Sequence, residues 1–388
     1  MGVGRTALAL GGAGVHNGSR LIVRLSSALL RVAVPALAAV WAVLSAPAMQ
    51  ARQAPAAPAA PAATTTATST TDRARFAAFV QDLKAEAVTR GITEAVAARA
   101  LDGLEPLPVV VARDRDQAEA VLSIDTYVRR RLTAATVRKA QRMFTQHRVM
   151  LDTIGKTYGV QPRYLVAVWG LESNFGAFTG VRPTVQALAT LAFDGRRGEL
   201  FKNELFDALR IVERGHANLD ALRGSWAGAM GQPQFLPSSY LAYARDGDGD
   251  GRVDIWANDA DVAASIANYL ARHGWQRGLR WGQPVTVPGN FDRQRVRDLV
   301  RPKSCVRPLE KHSRWISIAE WRRLGLTSAT PFPADSVLAT LVEPDGPGQG
   351  AYLTTGNYRA LLGYNCSNFY ALSVALLADA ISTQYAAQ

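Results

Sequence analysis

The sequence predicts a mainly helical α+β protein. Apolar residues recur at three- and four-residue spacing through most of the chain from Asp72 onward. Only one region, from Trp281 to about Glu343, breaks into short apolar runs punctuated by prolines. With 48% hydrophobic and 20% charged residues over 388 positions, the composition is globular, which excludes a disordered or collagen-like chain.

Residues 1–51 hold Arg5, Arg20, Arg24 and Arg31 and no acidic residue, followed from Val32 to Leu44 by an unbroken apolar run and then by Ser45-Ala46-Pro47-Ala48. A basic stretch, a short apolar run and a small-residue site read as a secretory signal. Ala46 and Ala48 fit the cleavage pattern, and Ala51 is a second candidate. A membrane-spanning helix needs about 20 apolar residues; this run is shorter and contains Pro35. No cysteine closely follows it to carry a lipid. The expected location is therefore the periplasm, in soluble form. Residues 52–74 are nearly all Ala, Pro, Thr and Ser up to Thr71 and read as a flexible spacer.

From 75 to 155 the pattern is helical, carried by Phe76, Phe79, Val80, Leu83 and Ala87, and later by Val137, Ala140, Met143, Phe144, Val149 and Ile154, with Pro106 and Pro108 as breaks. Residues 156–280 continue helical over 163–230 with glycine and proline punctuation, then carry a Gly/Asp loop at 246–256 and a helix over 259–273 that ends at Gly274. Residues 281–345 form the small β insert. From 346 to 388 the chain returns to helix at Tyr358–Leu362 and Asn368–Ile381.

Three constellations carry chemistry. Residues 164–171 are apolar on every side except at Gly170, and a helix without a polar face is buried. Glu172 follows at its end. A carboxyl set against apolar side chains has a raised pKa, as a general acid at neutral pH requires; the alternative is a helix-end Glu bonded to water. The second constellation, Gly224 to Tyr240, mixes glycines that allow close backbone approach with the polar Ser225 and Gln234 and the flat faces of Trp226 and Phe235. Such a mixture suits a glycan, or else a tight packing turn. The third is Asp246-Gly247-Asp248-Gly249-Asp250-Gly251-Arg252, which offers calcium-loop oxygens at positions 1, 3 and 5 and the Arg252 carbonyl at 7. Ala257 stands where the bidentate Glu belongs, so the loop must be longer and closed by Asp259 or Asp261.

Taken together, Glu172-Ser173-Asn174-Phe175-Gly176, the Gly228–Tyr240 run, the Asp-Gly repeat and Ser265–Leu270 before His273-Gly274-Trp275 resemble the membrane-bound lytic murein transglycosylase B family and its soluble relatives, from about Arg75 to the end. The resemblance implies a lysozyme-like helical core with an N-terminal helical part and a small β insert. It implies non-hydrolytic cleavage of the β-1,4 bond between N-acetylmuramic acid and N-acetylglucosamine in peptidoglycan, leaving 1,6-anhydromuramoyl products. By position, Glu172 matches the single acid/base. Ser225, Gln234, Phe235, Tyr127, Tyr364, Asn365 and Tyr370 match residues of the glycan groove. Asp246, Asp248, Asp250, Arg252 through its carbonyl, and Asp261 match the ligands of a lengthened EF-hand. Calcium there is expected to be structural, with no cofactor for catalysis. The implied partners are peptidoglycan glycan strands and proteins of wall synthesis or remodelling.

A hydrolytic muramidase is the rival reaction, but hydrolases usually use two carboxylates and the helix motif offers one. An inactive wall-binding protein is the rival class; retention of Glu172 and the groove residues argues against it. The net charge of +12 calls for a polyanion. The Lys and Arg are scattered and the leader directs export, so nucleic acid is not expected and the anionic wall accounts for the charge. Cys305 and Cys366 are too few for a disulfide scaffold or an all-thiolate zinc site. They are either bridged, tying the β insert to the C-terminal segment, or two separate thiols.

Overall fold

The computed structural model describes residues 70–115 and 122–383; the signal reading over 1–51 and most of the spacer lie outside the described residues. Among them stand fifteen α-helices and six short strands. The spacer reading extends too far, because the first helix already begins at Thr70. Phe76 anchors it edge-on against Phe193 at 5.3 Å, and Asp72 in its first turn complements the helix dipole.

The N-terminal part is a chain of short helices where spacing alone suggested longer ones. Breaks fall where local chemistry favours a new start: Thr93, Ser123 and Thr133 each take extended backbone and accept an N–H from the first turn of the next helix. The helices Thr70–Thr89 and Glu94–Leu101 bury Phe76, Val80, Leu83 and Leu101 against Thr184–Asp194 and Gly198–Glu213.

A second core surrounds the helix Pro162–Ser173. Pro162 starts it at a position where its missing N–H costs nothing. Tyr164 through Leu171 are all buried, packed by helices Ala134–Gln146, Arg148–Tyr158, Asp259–Arg272 and Asn368–Thr383. Burial of each large side chain in such a core contributes about 1.5–3 kcal/mol.

The stretch 214–230, expected to continue helical, is instead part of a series of tight turns that runs to Leu236. Isolated antiparallel bridges join Gly224 to Met230 and Met230 to Phe235. Its glycines make this possible: a Cβ on Gly224 would lie 2.4 Å from the Ala229 carbonyl oxygen.

The β insert is an antiparallel four-stranded sheet. Its spatial order is Gly282–Val285, Ala351–Thr354, Leu338–Val342, Ile316–Ser317. Ala351–Thr354 pairs on both sides, so the sheet runs past residue 345 and takes an inner strand from the segment read as returning to the helical core. Trp321, fully buried, packs beneath it with Ile318, Leu341 and Leu353. Cys305 and Cys366 are bridged, with Cα atoms 5.4 Å apart, which ties the insert to the turn before the last helix. No single described helix is long and apolar enough to cross a membrane.

Candidate active site

Glu172 sits in the last turn of Pro162–Ser173. The helix stops because Asn174 and Phe175 adopt left-handed backbone, φ 50 and 57°. Two successive non-glycine residues there are costly and must be held by their surroundings. The Lys139 ammonium donates to the Asn174 carbonyl oxygen at 2.9 Å and to its Oδ1 at 3.0 Å. The Phe175 ring folds back over Gly170, where a Cβ would lie 2.6 Å from the ring. The single gap in the apolar run is thus the seat of an aromatic ring that shapes the turn beside Glu172.

The Glu172 carboxyl is partly accessible yet ringed by protein. Loss of hydration raises its pKa to about 7; the Tyr370 hydroxyl and the Arg131 guanidinium act against that rise. The Tyr370 hydroxyl is buried and lacks a partner of good hydrogen-bond geometry, but it lies near enough to Glu172 for each to perturb the other. We read it as a donor loosely directed at the carboxyl. Tyr364, stacked on Tyr370 at 6.3 Å, is raised well above the usual phenol value by burial and by Glu172. Its hydroxyl is fixed by donation to the Pro233 carbonyl at 2.7 Å. Arg131 donates to the Leu171 carbonyl at 3.1 Å and lies over the Tyr127 ring, and Tyr127 packs edge-on against Phe369 at 5.3 Å. Asn365 is exposed at the end of helix Gly356–Tyr364. The fold therefore gathers Glu172, Tyr127, Tyr364 and Tyr370 from helices far apart in sequence.

The Gly-rich segment closes the other side. Gly180 meets Gly224 so tightly that a Cβ would fall 1.9 Å from the Gly224 carbonyl carbon, which sets Ser225 beside the turn segment that follows Glu172. Ser225 Oγ accepts from Ala227 and Ala229 N–H. Gln234, in left-handed backbone, donates to the Thr179 carbonyl at 3.2 Å and to that of Gly231 at 2.8 Å. Phe235 departs from expectation: it is 2% exposed, packed against Tyr269 and Tyr364. Its ring supports Tyr364 from below and offers no open face, because the Met230–Phe235 bridge turns it inward.

In the aspartate loop, Asp246, Asp248 and Asp261 bring carboxylate oxygens within 4.8 Å of one another. Asp261 is fully buried. Gly247 lies so close to Ala260 that a Cβ would fall 2.2 Å from its oxygen, which holds the loop against the following helix. Asp259 points elsewhere: one oxygen accepts from Gln232 at 3.3 Å and the other lies 3.7 Å from His147. Asp250 stands outside the trio and accepts from Arg252 N–H at 2.8 Å. An all-oxygen, anionic donor set with one buried member fits a hard divalent cation such as calcium.

The arrangement of these parts matches a family model. The transglycosylase SLT domain aligns over residues 75–379. The chain belongs to this family. It is 30% identical over 262 residues to membrane-bound lytic murein transglycosylase B of Escherichia coli, an alignment covering 66% of each chain; the match thus spans just under two thirds of that relative. SltB3 of Pseudomonas aeruginosa, solved with NAG-anhNAM-pentapeptide and with NAG-NAM-pentapeptide, is 36% identical with a TM-score of 0.72, covering 79% of each chain. The E. coli lytic transglycosylase Slt35 in complex with calcium is 27% identical with a TM-score of 0.65, over 79% of this chain and 94% of that one.

Several residues of this SLT-domain site escaped sequence reasoning. Gln232 is 5% exposed; its Oε1 accepts the Trp169 indole N–H at 2.6 Å while its Nε2 donates to the Trp256 carbonyl at 3.1 Å. It thereby joins the Glu172 helix to the aspartate loop. Arg131 ends the cationic triplet that begins at Arg129, and Lys139 lies on the next helix; no local pattern marks either as a neighbour of the Glu172 turn. Glu204 is another buried carboxyl, raised by burial, but it accepts from Ser238 N–H at 2.9 Å and Oγ–H at 2.7 Å, where it caps the helix Pro237–Tyr243. The isolated Gln between glycine and proline was the one available signal for Gln232.

Proposed function

We propose that the protein is a lytic transglycosylase that cleaves the β-1,4 bond between N-acetylmuramic acid and N-acetylglucosamine in peptidoglycan, with Glu172 as its acid and base. The observation that carries this is a lone carboxyl with a pKa raised to about 7, set among tyrosines in a chain of the SLT-domain family. At neutral pH a substantial fraction is protonated and able to give its hydrogen to the leaving oxygen. The resulting carboxylate then takes the proton of the muramoyl C6 hydroxyl, which attacks C1 and closes the anhydro ring. Atoms balance without water. Holding that hydroxyl by C1 makes the attack intramolecular, an advantage of about 7–11 kcal/mol at best. The groups acting on Glu172 are a hydroxyl and a cation, which suits a one-carboxylate mechanism better than the paired carboxylates of glycoside hydrolysis.

In this reading Tyr127, Ser225, Gln234, Tyr364, Asn365 and Tyr370 line the glycan groove. Arg131 stabilises the carboxylate formed midway, and Tyr370 donates to it. Asp246, Asp248 and Asp261, with Asp250 and the Arg252 carbonyl, hold calcium in an EF-hand-like loop. The ion neutralises their mutual repulsion and locks the loop against Asp259–Arg272. Export to the periplasm by residues 1–51 brings the enzyme to its substrate. Mass spectrometry of digested sacculi tests the reaction: 1,6-anhydromuramoyl ends are expected, and reducing ends alone would make the enzyme a muramidase.

A further inference from the structure

The β insert carries a surface that the groove does not use. Among the described residues Leu299, 88% exposed, is the most exposed large hydrophobic side chain, and its neighbour Val300 is 76% exposed. They are adjacent, at the tip of the loop between the short turn Arg293–Val296 and the helix Val306–Leu309. Exposed Arg297, Arg301 and Lys303 flank them in the same loop, and exposed Arg295 stands in the turn before it. The acidic groups facing this run are few: Asp298, which accepts from Val300 N–H at 2.9 Å, and Glu310, 3.9 Å from Arg301. The loop's position is fixed at both ends. Arg297 bridges to Ser313 in antiparallel fashion, and Cys305 is tied to Cys366. Two adjacent aliphatic side chains held out into water, with cations on both sides, make a small amphipathic tip.

We propose that this loop docks the protein on an anionic lipid bilayer, with Leu299 and Val300 in the headgroup–acyl boundary and Arg295, Arg297, Arg301 and Lys303 against lipid phosphates. The pairing of apolar tip and basic rim is the physical signature of interfacial membrane binding. Long cationic stems reach headgroups while their methylenes cover apolar surface. A glycan strand with its stem-peptide carboxylates would satisfy the cations but leave two aliphatic side chains without a matching surface, which favours the bilayer. The bridge from Cys305 to Cys366 places the loop close in the chain's contacts to the Tyr364–Tyr370 segment, so docking would hold the enzyme at the membrane with that segment at a fixed position. The inference is independent of the proposed reaction.

The test uses the full chain and vesicles of phosphatidylcholine with or without a quarter phosphatidylglycerol. A Leu299→Cys protein labelled with an environment-sensitive dye reads insertion at the loop itself. A blue shift with phosphatidylglycerol vesicles, absent with pure phosphatidylcholine and weakened by salt, is expected. In co-sedimentation, Leu299→Asp/Val300→Asp and Arg297→Glu/Lys303→Glu should each lower partitioning at least about tenfold, with unchanged melting temperature and unchanged cleavage of soluble muropeptides. No blue shift on anionic vesicles would overturn the proposal. So would loss of binding to purified sacculi, rather than to vesicles, in the charge-reversed variant, which would assign the loop to the wall polymer.

Discussion

Glu172 and Asp261 are both carboxylic acids held inside the protein, and their surroundings assign them opposite work. Asp261 is fully buried, but two backbone N–H groups, from Gly247 at 2.7 Å and Asp254 at 2.6 Å, each take one of its oxygens. Burial and the neighbouring Asp248 and Asp246 still raise its pKa, a conflict that a divalent cation would remove. Asp246, at the loop surface, is instead held below the usual range by N–H donors from Gly251 and Gly249. Glu172 has no such backbone donors: its neighbours are the Tyr370 hydroxyl and Arg131. The lesson is that burial alone does not make an acid catalytic. A buried carboxylate surrounded by amides and other carboxylates is prepared for a cation, and one surrounded by rings is prepared to keep a proton.

The comparison breaks most directly at Glu172 itself. Glu172→Gln keeps the shape and removes the transferable proton; activity on sacculi should fall on the order of 10²–10⁴-fold. An enzyme that still digests at wild-type rate would remove Glu172 from its role. Metal removal addresses the other acid. After chelation the melting temperature should drop and recover as calcium is titrated. At about a hundredfold excess over the dissociation constant the gain is roughly 2.7 kcal/mol, or several degrees. Asp261→Asn should abolish that calcium response while leaving Glu172 in place.

The pH dependence sharpens the contrast. The folded-state pKa of Glu172 is raised from 4.5 to about 7. Its neutral form is therefore the one the fold prefers, and the associated stability is full below about pH 4.5 and lost as pH rises through 7. Cleavage should decline above pH 7 as the acid form disappears. Glu172→Gln should be more stable than wild type at pH 8 by on the order of 2–3 kcal/mol, with the advantage vanishing at pH 4. Equal melting curves at both pH values would show that the carboxyl is well hydrated. The smallest expected effect concerns the link between the two acids. Gln232→Leu leaves the Trp169 N–H and the Trp256 carbonyl unpaired in the interior, a cost of about 1–3 kcal/mol. Calcium titration of that variant would report whether the loop still stabilises the Glu172 helix.

How much of this was legible beforehand depends on the range of the interaction. The buried helix and its terminal Glu172 could be read because burial follows from composition, and Pro162 and Gly170 sit where local geometry demands them. The helix over 259–273 was visible for the same reason, and it runs Asp259–Arg272. The helical reading of 214–230 failed because the apolar residues there pack against other elements while glycines set the turns, so periodicity carried no information. Phe235 looked like an open aromatic face because sequence does not say which way a ring turns. The β insert's end was placed too early because Ala351–Thr354 is a strand only by virtue of partners on both sides.

By itself the sequence determined the helical class, the lone acid at the end of an apolar helix, and the oxygen-rich loop, since each rests on residues near in the chain and on burial or charge. Tertiary structure decided that Asp261, and not Asp259, lies with Asp246 and Asp248, that Gln232 joins the loop to the Glu172 helix, and that Tyr364 and Tyr370 stand beside the acid. Those are meetings between segments separated by tens to hundreds of residues, and only packing of the whole chain brings them together.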